Sequence, residues 1–352
     1  MISRPGKTLC TLLGLILLGT SLHGADADRV NAPFLPGAKV RLRGFNLSNK
    51  RFFWKKPRPF EERDFQLIRE LGFNFARLPL DYREWIVDGD PAKVDETRFL
   101  QIDEAVAWGQ KYGVHVCLNI HRAPGFTVAK PKEQLSLWKD APAQRAFVDY
   151  WRRFARRYRG IPGVALSFNL LNEPGNVDAE TYLRIMGEAV AAIRAEDPNR
   201  PILCDAMDFG KTAVPGLETL GVVQSARGYA PFEVTHYRAP WMHGAMSYPK
   251  PQWPAGKFDR TWMGREVFSQ YVQAKTPVFI GEFGVFCHTP HADTLRFLED
   301  ELSIWKERNW GWALWELRGP FGIFDSDRSD VEYESFRGMK LDRKMLELLQ
   351  RY

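Results

Sequence analysis

From residue 40 onward the chain alternates short apolar runs with longer amphipathic stretches, and it does so eight times. The apolar runs lie at 40–46, 73–79, 114–121, 164–173, 202–205, 233–237, 278–282 and 311–315. Helical periodicity occupies 61–71, 97–112, 143–158, 179–195, 260–274 and 294–307, and 342–350 closes the chain. Strands separated by helices must pair in parallel, because each helix carries the chain back to the start of the next strand. Eight such units predict an α/β fold, a single (β/α)8 barrel. An open doubly wound sheet would place a Gly-rich phosphate turn after its first strand. Here that turn reads Asn46-Leu47-Ser48-Asn49-Lys50.

The polar residues of these runs are not spread evenly. Arg77, His121, Asn172, Glu173, His236 and Glu282 all fall at or next to the C-terminal end of an expected strand. That is the face on which barrel enzymes build their sites. The three longest irregular stretches, 122–142, 238–259 and 316–340, also follow expected strands. Loops of that length in a compact domain are usually functional, and here they would rise around one mouth as the walls of a cleft. The chain is rich in flat aromatic faces, with 12 Trp among 352 residues. Such faces fill cores or stack on rings.

The N-terminus has the layout of an export signal. Arg4 and Lys7 precede an apolar run from Thr8 to Leu18, and Ala25-Asp26-Ala27 offers a small-x-small cleavage site. The expected organisation is a signal peptide over 1–27 and one catalytic domain over 28–352, secreted or periplasmic and monomeric. No later segment is apolar enough to span a membrane. The three cysteines beyond the leader, Cys117, Cys204 and Cys287, are odd in number and cannot form a complete disulfide framework. Cys117 and Cys204 are expected as buried apolar residues. The net charge of +6 is only mildly basic, and the arginine cluster at 152–159 reads as the solvated face of a helix rather than a nucleic-acid surface.

Two segments carry chemistry. In Leu170-Leu171-Asn172-Glu173-Pro174 an apolar strand ends in an amide and a carboxylate; in Phe279-Ile280-Gly281-Glu282-Phe283-Gly284 a second strand ends in a carboxylate between glycines. Two carboxyl groups facing each other across a barrel mouth suit glycoside hydrolysis. One protonates the leaving oxygen while the other attacks the anomeric carbon or activates water. Other chemistries fit less well. There is no Gly-x-Ser-x-Gly elbow, and Pro290 breaks any helix that would align His288 with His291 on a metal. No metal and no cofactor are expected.

These segments, taken in order with 73–79, 118–126, His236-Tyr237 and 312–317, resemble glycoside hydrolase family 5, the large cellulase family. The resemblance covers nearly all of the chain beyond the leader. It implies a retaining hydrolase of β-linked polysaccharide, with β-1,4-glucan as the expected substrate. A β-mannanase, an exo-β-glucanase or a non-catalytic carbohydrate-binding barrel are the alternatives. By position, Glu173 resembles the acid/base and Glu282 the nucleophile. The same resemblance places Asn172 on the sugar 2-hydroxyl and Arg77 beneath the nucleophile. It sets His121 and His236 on the walls of the subsite for the attacked sugar, with Trp315 as its floor and a cis peptide after Trp315. The family often carries a tyrosine two residues after the sixth-strand histidine. Here that position holds Arg238, with Tyr237 one earlier, and Tyr237 can take the role only through a kinked strand end. Trp54, Trp85, Trp241 and Trp253 are further candidates for an aromatic groove.

Overall fold

The computed structural model describes residues 41–50 and 58–352, together with Met1. The expected leader beyond Met1, the expected first-strand residue Val40 and Trp54 lie outside the described residues. Eight strands close into a barrel: β1 (Arg43–Asn46), β2 (Phe75–Asp81), β3 (His115–Arg122), β4 (Leu166–Asn169), β5 (Ile202–Asp205), β6 (Val223–Gly228), β7 (Val278–Phe283) and β8 (Gly311–Leu314). Each strand pairs in parallel with its sequence neighbours, and β8 returns to β1. The expected barrel is therefore present, in the expected order.

The longer helices wrap it: α1 (Glu62–Glu70), α2 (Leu100–Tyr112), α3 (Ala141–Arg157), α4 (Ala179–Glu196), α5 (His291–Glu307) and α6 (Arg343–Arg351). Helix α3 shows why these stretches dock. Ala143, Phe147, Tyr150, Trp151 and Phe154 recur at helical spacing and are buried. Each large side chain contributes about 1.5–3 kcal/mol on leaving water. Its arginines lie on the other face, where Arg153 pairs with Asp149 and Glu96 and Arg157 pairs with Asp103. Helix α2 stops at Gly113, whose φ of 65° gives the left-handed cap that glycine adopts freely. The expected helix over 260–274 is broken by a π-helical turn at Met263–Val267.

The sixth strand departs from expectation. Residues 233–237 do not form it; Phe232–Thr235 is a short helical turn, and β6 lies ten residues earlier. Buried parallel strands normally read as apolar runs, but β6 reads Val-Gln-Ser-Ala-Arg-Gly, and its polar residues hide it.

Inside the barrel, Leu42, Phe75, Cys117, Leu203, Val223, Phe279 and Ala313 form a dry plug separate from the outer core. Cys117 and Cys204 are buried free thiols, as expected. The plug closes one end, and the polar residues sit beyond it toward the C-terminal ends. Glycine allows the tight closure between β1 and β2: a Cβ at Gly44 would overlap the backbone carbonyl of Phe75. Gly44→Ala is expected to destabilise the fold by about 3 kcal/mol through forced strand separation. Urea unfolding of the variant beside the wild-type protein measures this.

Candidate active site

The strand ends deliver their polar residues to one buried cluster. Arg77 on β2 is 1% exposed and is held on every side. Its Nε donates to Asn169 Oδ1 at 2.8 Å, Nη1 to Asn46 Oδ1 at 2.9 Å and to Glu282 Oε1 at 2.6 Å, and Nη2 to Asn172 Oδ1 at 2.9 Å. Arg77 thus sits against Glu282, as expected.

Glu282 reaches this position through an irregularity. Side chains alternate between the two faces of a strand, and its neighbour Ile280 belongs to the outer core. Strict alternation would turn Glu282 outward with it. However, the registers shift here. Ala226 and Arg227 of β6 pair with Ile280 and Glu282, and Trp312 and Leu314 of β8 pair with Ile280 and Phe283. The extra residue on β7 is a bulge, which re-aims the side chain that follows it. Glycine at 281 is required there, since a Cβ would collide with Ser225 Oγ and approach within 2.9 Å of Arg227 Nη1.

Glu173 lies beyond the end of β4, which stops at Asn169 rather than running to residue 173. Its φ of 49° is left-handed, a conformation that costs a non-glycine residue about 1–3 kcal/mol and clusters at functional sites. Its backbone N–H donates to Asp205 Oδ2 at 2.9 Å, which fixes the turn. Burial first, and then the neighbouring Glu282, push the Glu173 carboxyl up to about 7, against the pull of Arg227. This carboxyl therefore holds a proton where an ordinary one would have lost it.

Five residues of the cluster escaped the sequence reading: Asn46 and Asn169, which hold Arg77, and three more around the glutamates. Arg227 on β6 donates through Nε to Glu173 Oε1 at 3.0 Å, and through Nη2 to Asn172 Oδ1 at 3.0 Å and Glu282 Oε1 at 3.4 Å. Asp205 on β5 is fully buried and forms an ion pair with Arg227. Tyr229, just past β6, donates to Glu282 Oε2 at 3.3 Å. Tyr229 is thus the tyrosine that the resemblance placed near the nucleophile, and the residue two before it is Arg227, not a histidine. The displaced sixth strand concealed both. Tyr237 lies elsewhere, half-buried with the Arg238 guanidinium 5.9 Å from its ring.

The remaining expected residues line the same mouth. Asn172 Oδ1 accepts from both arginines, while its buried Nδ2 has no partner among the described residues. His121 lies parallel to Trp315, with ring centroids 5.5 Å apart. The Trp315–Glu316 peptide is cis, as the resemblance implied. His236 bonds Thr235 at 3.0 Å and packs on Tyr229, and burial lowers its pKa to about 4, so its ring is neutral near pH 7. Trp315, Tyr229, Phe286 and Phe321 form an aromatic floor. Trp241 stands over it, 59% exposed and edge-on to Phe286. Trp85 and Trp253 do not join this surface; both are buried in the main core. Among the described residues no cluster of His, Cys, Asp and Glu is arranged to hold a metal ion.

A model of the cellulase family, glycosyl hydrolase family 5, matches residues 35–319. The chain belongs to glycosyl hydrolase family 5. It is therefore a glycosidase. Endoglucanase C of Acetivibrio thermocellus is 27% identical over 305 residues, spanning 78% of this chain and 88% of that protein. A solved glycoside hydrolase superposes with a TM-score of 0.84 at 37% identity, covering 89% of this chain and 99% of that one. Endoglucanase Cel5A of Thermotoga maritima shares the fold with a TM-score of 0.74 at 24% identity, covering 92% and 99% of the two chains.

The electrostatics of this family 5 site can be read directly by carboxyl-carbon NMR. Glu173 is expected to titrate near pH 7. Glu282→Gln removes one neighbouring negative charge and should lower that midpoint. A wild-type midpoint at an ordinary glutamate value of about 4.3 would contradict the account.

Proposed function

We propose that this enzyme is a retaining, endo-acting β-1,4-glucanase that works by double displacement on Glu173 and Glu282. The observation that carries the reading is the asymmetry of the two carboxyl groups. Glu282 is held by Arg77 and Tyr229, whereas Glu173 has its pKa raised to about 7. Such a divergence separates acid from nucleophile.

In the first step Glu282 Oε attacks the anomeric carbon and the bond to the leaving oxygen breaks. Glu173 gives that oxygen its proton. The sugar is then esterified to Glu282, and Glu173 is a carboxylate. In the second step Glu173 takes a proton from water, the water oxygen attacks the anomeric carbon, and the ester breaks with overall retention. This chemistry requires carboxyl groups about 5–5.5 Å apart. The unpaired Nδ2 of Asn172 is suited to a sugar hydroxyl, since a buried donor without a partner calls for one. Trp241, 59% exposed, offers a ring face on which a sugar stacks, whereas Trp315 is only 8% exposed and lies parallel to His121.

The endoglucanase relative, matched over most of its length, supports glucan as the substrate and internal cleavage as the mode. The leader-like residues 1–27 support export, with 28–352 as the catalytic barrel acting outside the cytoplasm. A hydrolysis screen on β-1,4-glucan, mannan and xylan tests the substrate; faster release from mannan or xylan would overturn the glucan assignment.

The two carboxyl roles separate by chemical rescue. Glu173→Ala should retain activity on aryl glycosides with a good leaving group, because they need little protonation. Azide should then accelerate it and yield a product of retained configuration. Glu282→Ala should lose at least about a thousandfold on all substrates, in the range of losing a nucleophile, and azide should yield the inverted product. Exchanged patterns would reverse the roles, and undiminished activity in both variants would remove the mechanism.

A further inference from the structure

We propose that Arg227 is a positioning residue for both steps of the reaction, a fixed cation that lets one negative charge pass between the two glutamates. This rests on the two-glutamate reading above. During the first step Glu282 loses its charge on forming the ester, and Glu173 gains one on giving up its proton. One negative charge therefore moves across the site at each half-reaction. Arg77 follows only half of that movement, because it contacts Glu282 and not Glu173. Arg227 contacts both, with Nε on Glu173 at 3.0 Å and Nη2 toward Glu282 at 3.4 Å. A planar guanidinium can serve the two carboxyls from one pose, which a point-like ammonium cannot.

The guanidinium is held so that it need not move. Nη1 donates to Ser225 Oγ and to the Ala226 carbonyl, each at 3.2 Å, and Nη2 is anchored by Asp205 and Asn172. The missing side chain at Gly281 leaves room for Nη1. The side chain is 2% exposed, so water screens it little. The charged and titratable groups around Glu173 are Glu282 from β7, Asp205 from β5, Arg227 from β6 and Tyr229 just past β6; Arg77 from β2 acts on it through Glu282. Of the two cations, Arg227 is the one bonded to Glu173, and it opposes the rise in that carboxyl's pKa.

The test uses Arg227→Gln and Arg227→Lys in the full chain, with thermal melts to establish folding. Activity requires protonated Glu173, so it falls as pH rises through the Glu173 pKa. Removing the cation raises that pKa. Arg227→Gln should therefore move the alkaline limb of kcat/KM upward by about one to three pH units, the span of one adjacent charge. At neutral pH Glu173 should then stay protonated after the first step and fail as a base. An aryl β-cellobioside with a good leaving group should show a burst of released phenol, with kcat and KM falling together. Arg227→Lys keeps the charge but cannot bond both carboxyls. Bonded to one carboxyl at a time, it should move the alkaline limb upward by less than the Gln variant does and show a smaller burst, so it decides the matter should the Gln variant not fold. An unmoved alkaline limb in a folded Gln variant, or a Lys variant with wild-type limb and no burst, would reduce Arg227 to a structural strut and overturn the proposal. Failure of the azide patterns at Glu173 and Glu282 in the otherwise wild-type enzyme would instead overturn the reading beneath it.

Discussion

The site is organised around a buried charge balance. Two guanidinium groups, Arg77 and Arg227, lie beside the carboxyl groups of Asp205, Glu282 and Glu173 in a pocket almost closed to water. Unpaired charges at such depth cost several kcal/mol each. With Glu173 protonated, two cations face two anions. In the ester state of the proposed mechanism the charge on Glu282 is gone and Glu173 carries it, so the count is again two against two. The proton on Glu173 is thus part of the balance as well as a reagent. The same arithmetic explains why Asp205, which touches no substrate position in this account, is buried completely beside Arg227.

The barrel makes this cluster possible by geometry. Every member but Arg77 comes from, or just beyond, the C-terminal end of a strand; Arg77 lies within β2, level with Asn46 at the end of β1, and parallel closure brings them to one rim. The apolar plug beneath excludes water from the other side. Two local departures from regularity complete the site: the bulge that turns Glu282 inward and the left-handed backbone at Glu173. Both place a carboxyl where an ideal strand would not. The interlocking hydrogen bonds hold these departures: Asn172 Oδ1 accepts from both arginines, and Asp205 accepts from Arg227 and from the Glu173 backbone.

Much of this was legible in the sequence because parallel strands are apolar and their ends are polar. The barrel, the two glutamates, Arg77 and Asn172 followed from that contrast. The sixth strand did not, because β6 carries Gln224, Ser225 and Arg227 in a stretch of six residues. The segment 233–237, with Val234, Thr235 and Tyr237, reads as the strand instead, but it follows Pro231 and coils into a helical turn. Losing that strand also lost Arg227 and Tyr229 and put the tyrosine role on Tyr237. A signal was present: an arginine two residues before a tyrosine and four before a proline, after a short run opening Val-Val. Asp205 stood at the end of an expected strand and was readable by the rule that found Glu173. The tryptophans were less legible, since exposure of Trp241 and burial of Trp85 and Trp253 depend on loop packing that periodicity does not encode.

The central claim is that Glu282, and not Glu173, becomes covalently joined to the sugar. It can be tested with an activated 2-deoxy-2-fluoro β-cellobioside, whose fluorine slows both steps while its good leaving group restores the first, so that the ester accumulates. The account predicts time-dependent inactivation, a mass increase of one 2-deoxy-2-fluorocellobiosyl group and a labelled peptide in which Glu282 carries the ester. A label on Glu173, or an enzyme that turns over ordinary substrates with inversion and acquires no label, would contradict it.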